Sequence, residues 1–274
     1  MGRVTVRRRV LRIDGTERRN ERPDTLAAEE PLEIRVSGRP LTVTMRTPGD
    51  DFDLVAGFLT AEGVIGAAAD LTAMRVCADT GESGEPTYNV VDVALADGVP
   101  APDASVERAF YTTSACGVCG KTSIDALRHR APYDLEADSV RLDPGVLTGL
   151  PDTLRKAQRV FDRTGGLHAA GLFDDQGALL AVREDVGRHN AVDKIVGWAL
   201  REGLLPLTGK VLMVSGRASF ELVQKAVIAG IPALCAVSAP SSLAVDLAAE
   251  SGLTLVGFLR GTSMNVYTGA SRLT

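Results

Sequence analysis

The sequence predicts a mixed α/β protein, and three observations carry that prediction. The C-terminal third alternates between short apolar runs and helix-length periodic segments, the pattern of a βαβαβ unit with a mainly parallel sheet. The N-terminal part instead shows two-residue alternation around a single helical segment, as expected of a smaller, mostly antiparallel β-rich part of α+β character. Between them, Thr112 to Asp125 is a stretch of small and polar residues that holds a closely spaced pair of thiols. The 274-residue chain therefore divides into a β-rich part (1–110), the thiol loop with the helix after it (111–131), and an α/β part suited to a cofactor (132–274).

Taken in order, Val4 to Ile13 and Glu33 to Met45 read as strands. Leu32, Ile34 and Val36 alternate, as do Leu41, Val43 and Met45, and Ser37-Gly38 between them supplies a hairpin turn. Asp14 to Glu30 is polar and charged and reads as a surface connection. Asp50 or Asp51 caps a helix in which Phe52, Val55, Ala56 and Leu59 recur at helical spacing, ending near Glu62-Gly63. Met74 to Cys77 and Tyr88 to Leu95 read as two further strands. Lys121 to Arg130 is helical in pattern, Pro132 to Arg141 irregular, and Pro151 to Arg163 a helix with Leu154, Ala157, Val160 and Phe161 inward. Leu167 to Phe173 and Ala178 to Val182 form a hairpin through Asp174-Asp175-Gln176-Gly177, and a helix with Ala191, Val192, Ile195, Val196 and Ala199 apolar follows. Strands at Val211 to Ser215, Ala233 to Val237 and Leu253 to Leu259 then alternate with helices at Phe220 to Ala229 and Leu243 to Ser251.

Composition narrows the class. Hydrophobic residues make up 45% of the chain, enough for a large core, and no apolar run reaches membrane-spanning length. Arg7, Arg8 and Arg9 are followed by Val10 and Leu11, but Arg12, Asp14, Glu17, Arg18 and Arg19 leave no apolar stretch, so they are not an export signal and a cytoplasmic protein is expected. A net charge of -5 argues against general nucleic-acid binding but leaves room for a local basic pocket. Four cysteines, two of them close together, suit a reducing compartment.

Cys116 and Cys119 are the candidate chemical centre. Gly117 and Gly120 permit close backbone approach to a bulky partner, while the following helix N-terminus and Lys121 favour the thiolate, the form that attacks sulfur or binds metal. A structural zinc would need two more ligands, and Cys77, Cys235, His129, His168 and His189 lack the spacings. A deaminase-type zinc would need a proline where Ala115 stands and an upstream His or Cys two residues before a Glu. A thioredoxin-like motif would need a βαβ unit around the thiols. Sulfur transfer remains.

Ligands of open α/β sheets bind beyond the carboxyl ends of the strands. Here those ends carry Ser215-Gly216-Arg217-Ala218-Ser219, Ser238-Ala239-Pro240-Ser241-Ser242 and Arg260-Gly261-Thr262-Ser263. Ordinary N-capping by Ser219 and Ser241 would explain each loop singly, but three together favour phosphate, with Arg217 and Arg260 as bidentate donors. Arg183 to Asn190 packs charged and imidazole groups around Gly187 at a strand-to-helix junction, which suits either a binding site or a buried ion-pair network. His168, Arg188 and His189 could line the pocket.

Four ordered motifs resemble the FdhD family of formate dehydrogenase accessory sulfurtransferases. They are Thr-Ser-Ala-Cys-Gly-Val-Cys-Gly-Lys, Gly-Gly-Leu-His-Ala-Ala-Gly-Leu-Phe, Glu-Asp-Val-Gly-Arg-His-Asn-Ala-Val-Asp-Lys and Ser-Gly-Arg-Ala-Ser-Phe-Glu-Leu-Val-Gln-Lys. The resemblance implies a cytidine-deaminase-like core, a homodimer, and a sulfur relay between a cysteine desulfurase and formate dehydrogenase. The acceptor would be the molybdenum (or tungsten) bis(molybdopterin guanine dinucleotide) cofactor, with a guanine nucleotide as its mimic. Cys116 would carry the persulfide and Cys119 would assist. Phe258, Leu259, Arg260, Gly261, Thr262 and Ser263 would form the cofactor-binding segment, and Ser215, Arg217, His168 and His189 are the further pocket candidates. The rival is a guanine nucleotide- or cofactor-binding module whose thiols hold metal or are inert.

Overall fold

The computed structural model describes residues 2–80, 86–102 and 132–274. The thiol loop, with Cys116 and Cys119, and the helix expected after it lie outside the described residues. Three sheets account for the described strands. β1 (Thr5–Asp14) and β2 (Glu17–Ala27) form a two-stranded antiparallel ribbon. β3 (Glu30–Val36), β4 (Arg39–Arg46), β5 (Leu71–Thr80) and β6 (Pro86–Leu95) form a four-stranded sheet in the order β4-β3-β6-β5. β7 (His168–Phe173), β8 (Leu179–Asp185), β9 (Val211–Val214), β10 (Ala233–Ala236), β11 (Thr254–Arg260) and β12 (Ser263–Thr268) form a six-stranded sheet in the order β12-β11-β10-β9-β7-β8.

The strands β9, β10 and β11 run parallel, as the alternating C-terminal pattern requires, with antiparallel neighbours at both margins. Helices α4 (Arg188–Arg201), α5 (Phe220–Ile228) and α6 (Ser242–Glu250) cover one face and α2 (Pro144–Ala157) the other. The four-stranded sheet buries Leu32, Ile34, Val36, Val91 and Val93 against α1 (Asp51–Ala61). Its β3–β4 hairpin turns at Ser37-Gly38 with φ of 51° and 79°, the left-handed pair a tight hairpin turn needs.

Three expectations are corrected. Asp14 to Glu30 is not a surface connection, because most of it pairs with β1 as β2. Much of this ribbon is exposed on both faces, so no alternation of apolar residues marked it. The helix expected at Pro151 to Arg163 is two helices, α2 and α3 (Arg159–Thr164). Asp143 starts α2 earlier by accepting the Gly145 N–H at 2.6 Å with Pro144 in the first turn, and Leu147, Leu150 and Leu154 point inward rather than Ala157, Val160 and Phe161. The strand β12, where Met264 and Val266 pack inward, was not foreseen.

α1 and α4 cross at two glycines. A Cβ on Gly57 would stand 1.9 Å from the Asp193 carbonyl oxygen, and one on Gly197 would stand 1.9 Å from the Asp53 carbonyl oxygen. Neither backbone can give way, since each neighbour is itself helical. Polar groups reinforce the join: the buried Asp53 carboxylate accepts from Arg183 at 2.8 Å and from Arg201. Gly197→Ala should therefore destabilise the protein by about 3 kcal/mol or more, the upper range for overpacking, read as a lower urea midpoint. Gly149→Ala, with no atom within 4 Å of the added Cβ, is the control and should leave the midpoint no lower.

Candidate functional site at the carboxyl edge of the six-stranded sheet

β8, β9, β10 and β11 end at the same edge, and β7, running the other way, begins there. This one edge therefore gathers His168 from the start of β7, Arg188 and His189 after β8, Ser215 to Ser219 after β9, Ser238 to Ser242 after β10, and Phe258 to Ser263 at the β11–β12 turn. The loops are laced together: Ser238 N–H donates to the Gly216 carbonyl at 3.4 Å, Ala218 N–H to Ala239 at 3.2 Å, and Phe258 N–H to Ser238 at 3.2 Å. The N-termini of α4, α5 and α6 open onto the same edge, so three helix dipoles and their free amides favour an anion there.

The charged cluster Arg183 to Asn190 splits into two functions. Asp185 is fully buried and accepts from Thr47 N–H at 3.1 Å, Gly187 N–H at 2.8 Å and Asn190 Nδ2 at 3.0 Å, and it pairs with Lys194 Nζ at 2.8 Å. Lys194 in turn donates to the Thr47 carbonyl at 3.0 Å and Asn190 to the Met45 carbonyl at 2.8 Å. This network pins the junction to the end of β4. It leaves Arg188 and His189 at the edge, where the Nε of Arg188 is buried without a hydrogen-bond partner among the described residues. The charge of Arg188 acts on both imidazoles. Burial, then Arg188, lowers the pKa of His168 below its ordinary value, and burial, then Arg188 and Lys225, brings His189 down to about 3.

His189 is therefore neutral near pH 7. Its Nε2 lies 3.1 Å from Ser219 Oγ and its Nδ1 lies 3.4 Å from Glu221 Oε2. With the ring neutral, the 3.4 Å approach of Nδ1 to Glu221 is not an ion pair. Ser219 was expected to cap its helix, but its side chain makes no cap bond; Ser241 does, accepting from Ala244 N–H at 3.3 Å. Beneath the site, Lys225 on α5 donates to Asp193 on α4 at 2.6 Å. Burial pushes Asp193 up to about 6.

The other candidates divide by environment. Ser215 Oγ accepts the Ala169 N–H at 2.9 Å. Arg217 is exposed, and Arg260 lies with its guanidinium 5.5 Å from the Phe258 ring centre. Phe258 holds a left-handed backbone with φ of 51°, a strained state for a bulky residue that costs on the order of 1 kcal/mol. Gly261, also left-handed at 55°, turns the chain with Thr262 and Ser263 exposed, whereas Leu259 is fully buried in the core below. Sequence reasoning missed Glu221, Asp193 and Lys225; the Ser-x-Glu spacing at the α5 N-terminus was the only local signal for the first. Among the described residues, no group of three or more His, Cys, Asp or Glu side chains could hold a metal, and no helix is long and apolar enough to cross a membrane.

The FdhD/NarQ family model matches residues 27–274. The chain belongs to that family. It is 66% identical over 275 residues to the sulfur carrier protein FdhD of Streptomyces avermitilis, spanning 100% of this chain and 97% of the relative. To that of Mycobacterium tuberculosis it is 58% identical over 277 residues, spanning all of both chains. A solved structure from Desulfotalea psychrophila, provisionally assigned as a formate dehydrogenase accessory protein, superposes with a TM-score of 0.76 at 25% identity. That likeness covers 99% of this chain and 100% of the other.

The tautomer and charge of His189 are open to measurement. Unfolded imidazole takes up a proton near 6.5 and the folded ring only near 3. Its contribution to stability is complete above about pH 6.5 and is lost as pH falls toward 3. Asp193 has the opposite sign, its raised pKa adding stability as pH falls through 6, so the comparison must be made against the parent protein. His189→Gln should flatten the parent's loss of urea midpoint across pH 6.5 to 4, and the ring nitrogen shifts of the parent should report neutral imidazole at pH 5. An imidazolium signal at that pH would contradict the assignment.

Proposed function

We propose that this protein is a sulfur carrier that takes sulfane sulfur from a cysteine desulfurase onto Cys116. It then delivers that sulfur to a molybdenum or tungsten bis-pterin guanine dinucleotide substrate, for the benefit of formate dehydrogenase. The family membership and the relatives' names support the sulfur-carrying part. The observation that carries the substrate part is the edge itself, where Arg188, Arg217 and Arg260 have no carboxylate partner among the described residues while three helix N-termini face the same way. Unneutralised guanidinium groups beside free amides are what a polyphosphate-bearing ligand requires.

In this reading the Cys116 thiolate attacks the terminal sulfur of the desulfurase persulfide. The desulfurase S–S bond breaks as the new one forms, and the desulfurase cysteine leaves as a thiolate. Attack of Cys119 on the inner sulfur of the Cys116 persulfide then forms a Cys116–Cys119 disulfide and releases hydrosulfide for the substrate, after which a dithiol reductant restores both thiols. The arginines hold the phosphate arms and supply the positive charge there, since His168 and His189 are neutral. Two copies pair, and the chemistry belongs in the reducing cytoplasm.

Titration with GDP tests the edge. Arg188→Ala, Arg217→Ala and Arg260→Ala should each weaken binding by about tenfold or more, the loss expected for a charged hydrogen bond. Cys116→Ala should keep GDP affinity and abolish formate dehydrogenase activity in cells lacking the native protein. Loss of a stoichiometric metal on Cys116→Ala, with activity unchanged, would instead establish a nucleotide-binding module with a metal-holding Cys-x-x-Cys.

A further inference from the structure

Two serines at the edge have opposite hydrogen-bonding polarity. Ser215 Oγ accepts the backbone N–H of Ala169 at 2.9 Å, so its own proton remains available to donate. Ser219 is set the other way. The Glu221 carboxylate lies 3.4 Å from Nδ1 of His189 without a hydrogen bond of good geometry, and its negative charge disfavours a lone pair on Nδ1, which favours the tautomer with the proton on Nδ1 and the lone pair on Nε2. Ser219 Oγ is 3.1 Å from Nε2, and in that tautomer it donates to the ring nitrogen. The same hydroxyl accepts no cap bond from the backbone of α5, so its lone pairs are not taken up by the helix N-terminus.

A serine whose proton is spent this way offers only lone pairs to a ligand. It cannot donate to a phosphate oxygen, and it can accept from an N–H. We propose, building on the reading of this edge as a nucleotide-cofactor site, that Ser219 determines specificity by accepting an N–H of the ligand's heterocycle. The ligand group would be a ring N–H or exocyclic amine of a guanine or pterin, whereas Ser215 and the arginines serve the phosphates. His189 and Glu221 are positioning residues that fix the polarity of Ser219. The burial and neighbouring positive charge that keep His189 unprotonated maintain this arrangement at working pH. The single loop after β9 carries both serines to the edge, and the bridge between Ala218 and Pro240 holds that loop in place.

The test compares GDP with inorganic pyrophosphate by calorimetry at constant salt. Ser219→Ala should weaken GDP by about three- to tenfold, the value of one neutral hydrogen bond, and leave pyrophosphate unchanged. Ser215→Ala should weaken both ligands by the same factor. His189→Phe should reproduce the Ser219→Ala split, and His189→Gln, whose amide oxygen can accept the same proton, should restore most of the GDP affinity. Equal weakening of both ligands by Ser219→Ala would make Ser219 a phosphate donor, and no effect on either would remove it from the site; both outcomes overturn the proposal. If the parent protein binds pyrophosphate but not GDP, the base-reading role falls while the anion site stands. If it binds neither, the reading of the edge as a nucleotide site falls, and this assignment with it.

Discussion

The crossing of α1 over α4 at Gly57 and Gly197 is the constraint from which the rest of the arrangement follows. With no Cβ on either side, the two backbones approach until each glycine lies against a carbonyl of the other helix. α4 faces the six-stranded sheet with Ala191, Val192, Ile195, Val196 and Ala199, while its Leu200 joins the core beneath the four-stranded sheet. One helix thus belongs to two cores. Because α4 begins at Arg188, the contact that joins the two cores also fixes the first residues of the candidate site.

Buried charge completes that fixation. Removing Asp185 and Lys194 from water is costly, and the cost is offset only because the four acceptor positions of Asp185 are filled by Thr47, Gly187, Asn190 and Lys194. Deleting one partner would strand the others, so the network resists partial disruption and holds the loop rigid. Rigid support beneath a cationic edge is what preorganised anion binding needs, since guanidinium groups that must first be ordered lose affinity to entropy. Arg188 is positioned by this network without being consumed by it.

Much of the fold was legible because the alternating C-terminal pattern leaves few topologies, and a right-handed parallel unit places all its strand ends together. The pocket candidates therefore converge on one edge as their positions in the alternation require. What escaped has physical reasons. β2 pairs in a ribbon largely open to solvent on both faces and so lacks an apolar stripe. α2 contains Pro151, which reads as a helix start when its true cap is Asp143. The partners of His189 were invisible because Ser219 and Glu221 meet it from another element, thirty residues away in the case of Ser219. Leu259 stood among the cofactor-binding candidates on motif position, while its side chain lies in the core. Local spacing reports what a residue can do, and only tertiary contact decides which of its groups remain free.

The proposed function stands on the Cys116 thiol. The most direct measurement is the mass of the peptide bearing Cys116 after incubation of the intact protein with a cysteine desulfurase and cysteine, without reductant. One added sulfur atom on Cys116, removed by a thiol and absent from Cys116→Ser, is the expected outcome. A Cys116 peptide that gains no sulfur under conditions in which the desulfurase turns over would contradict it.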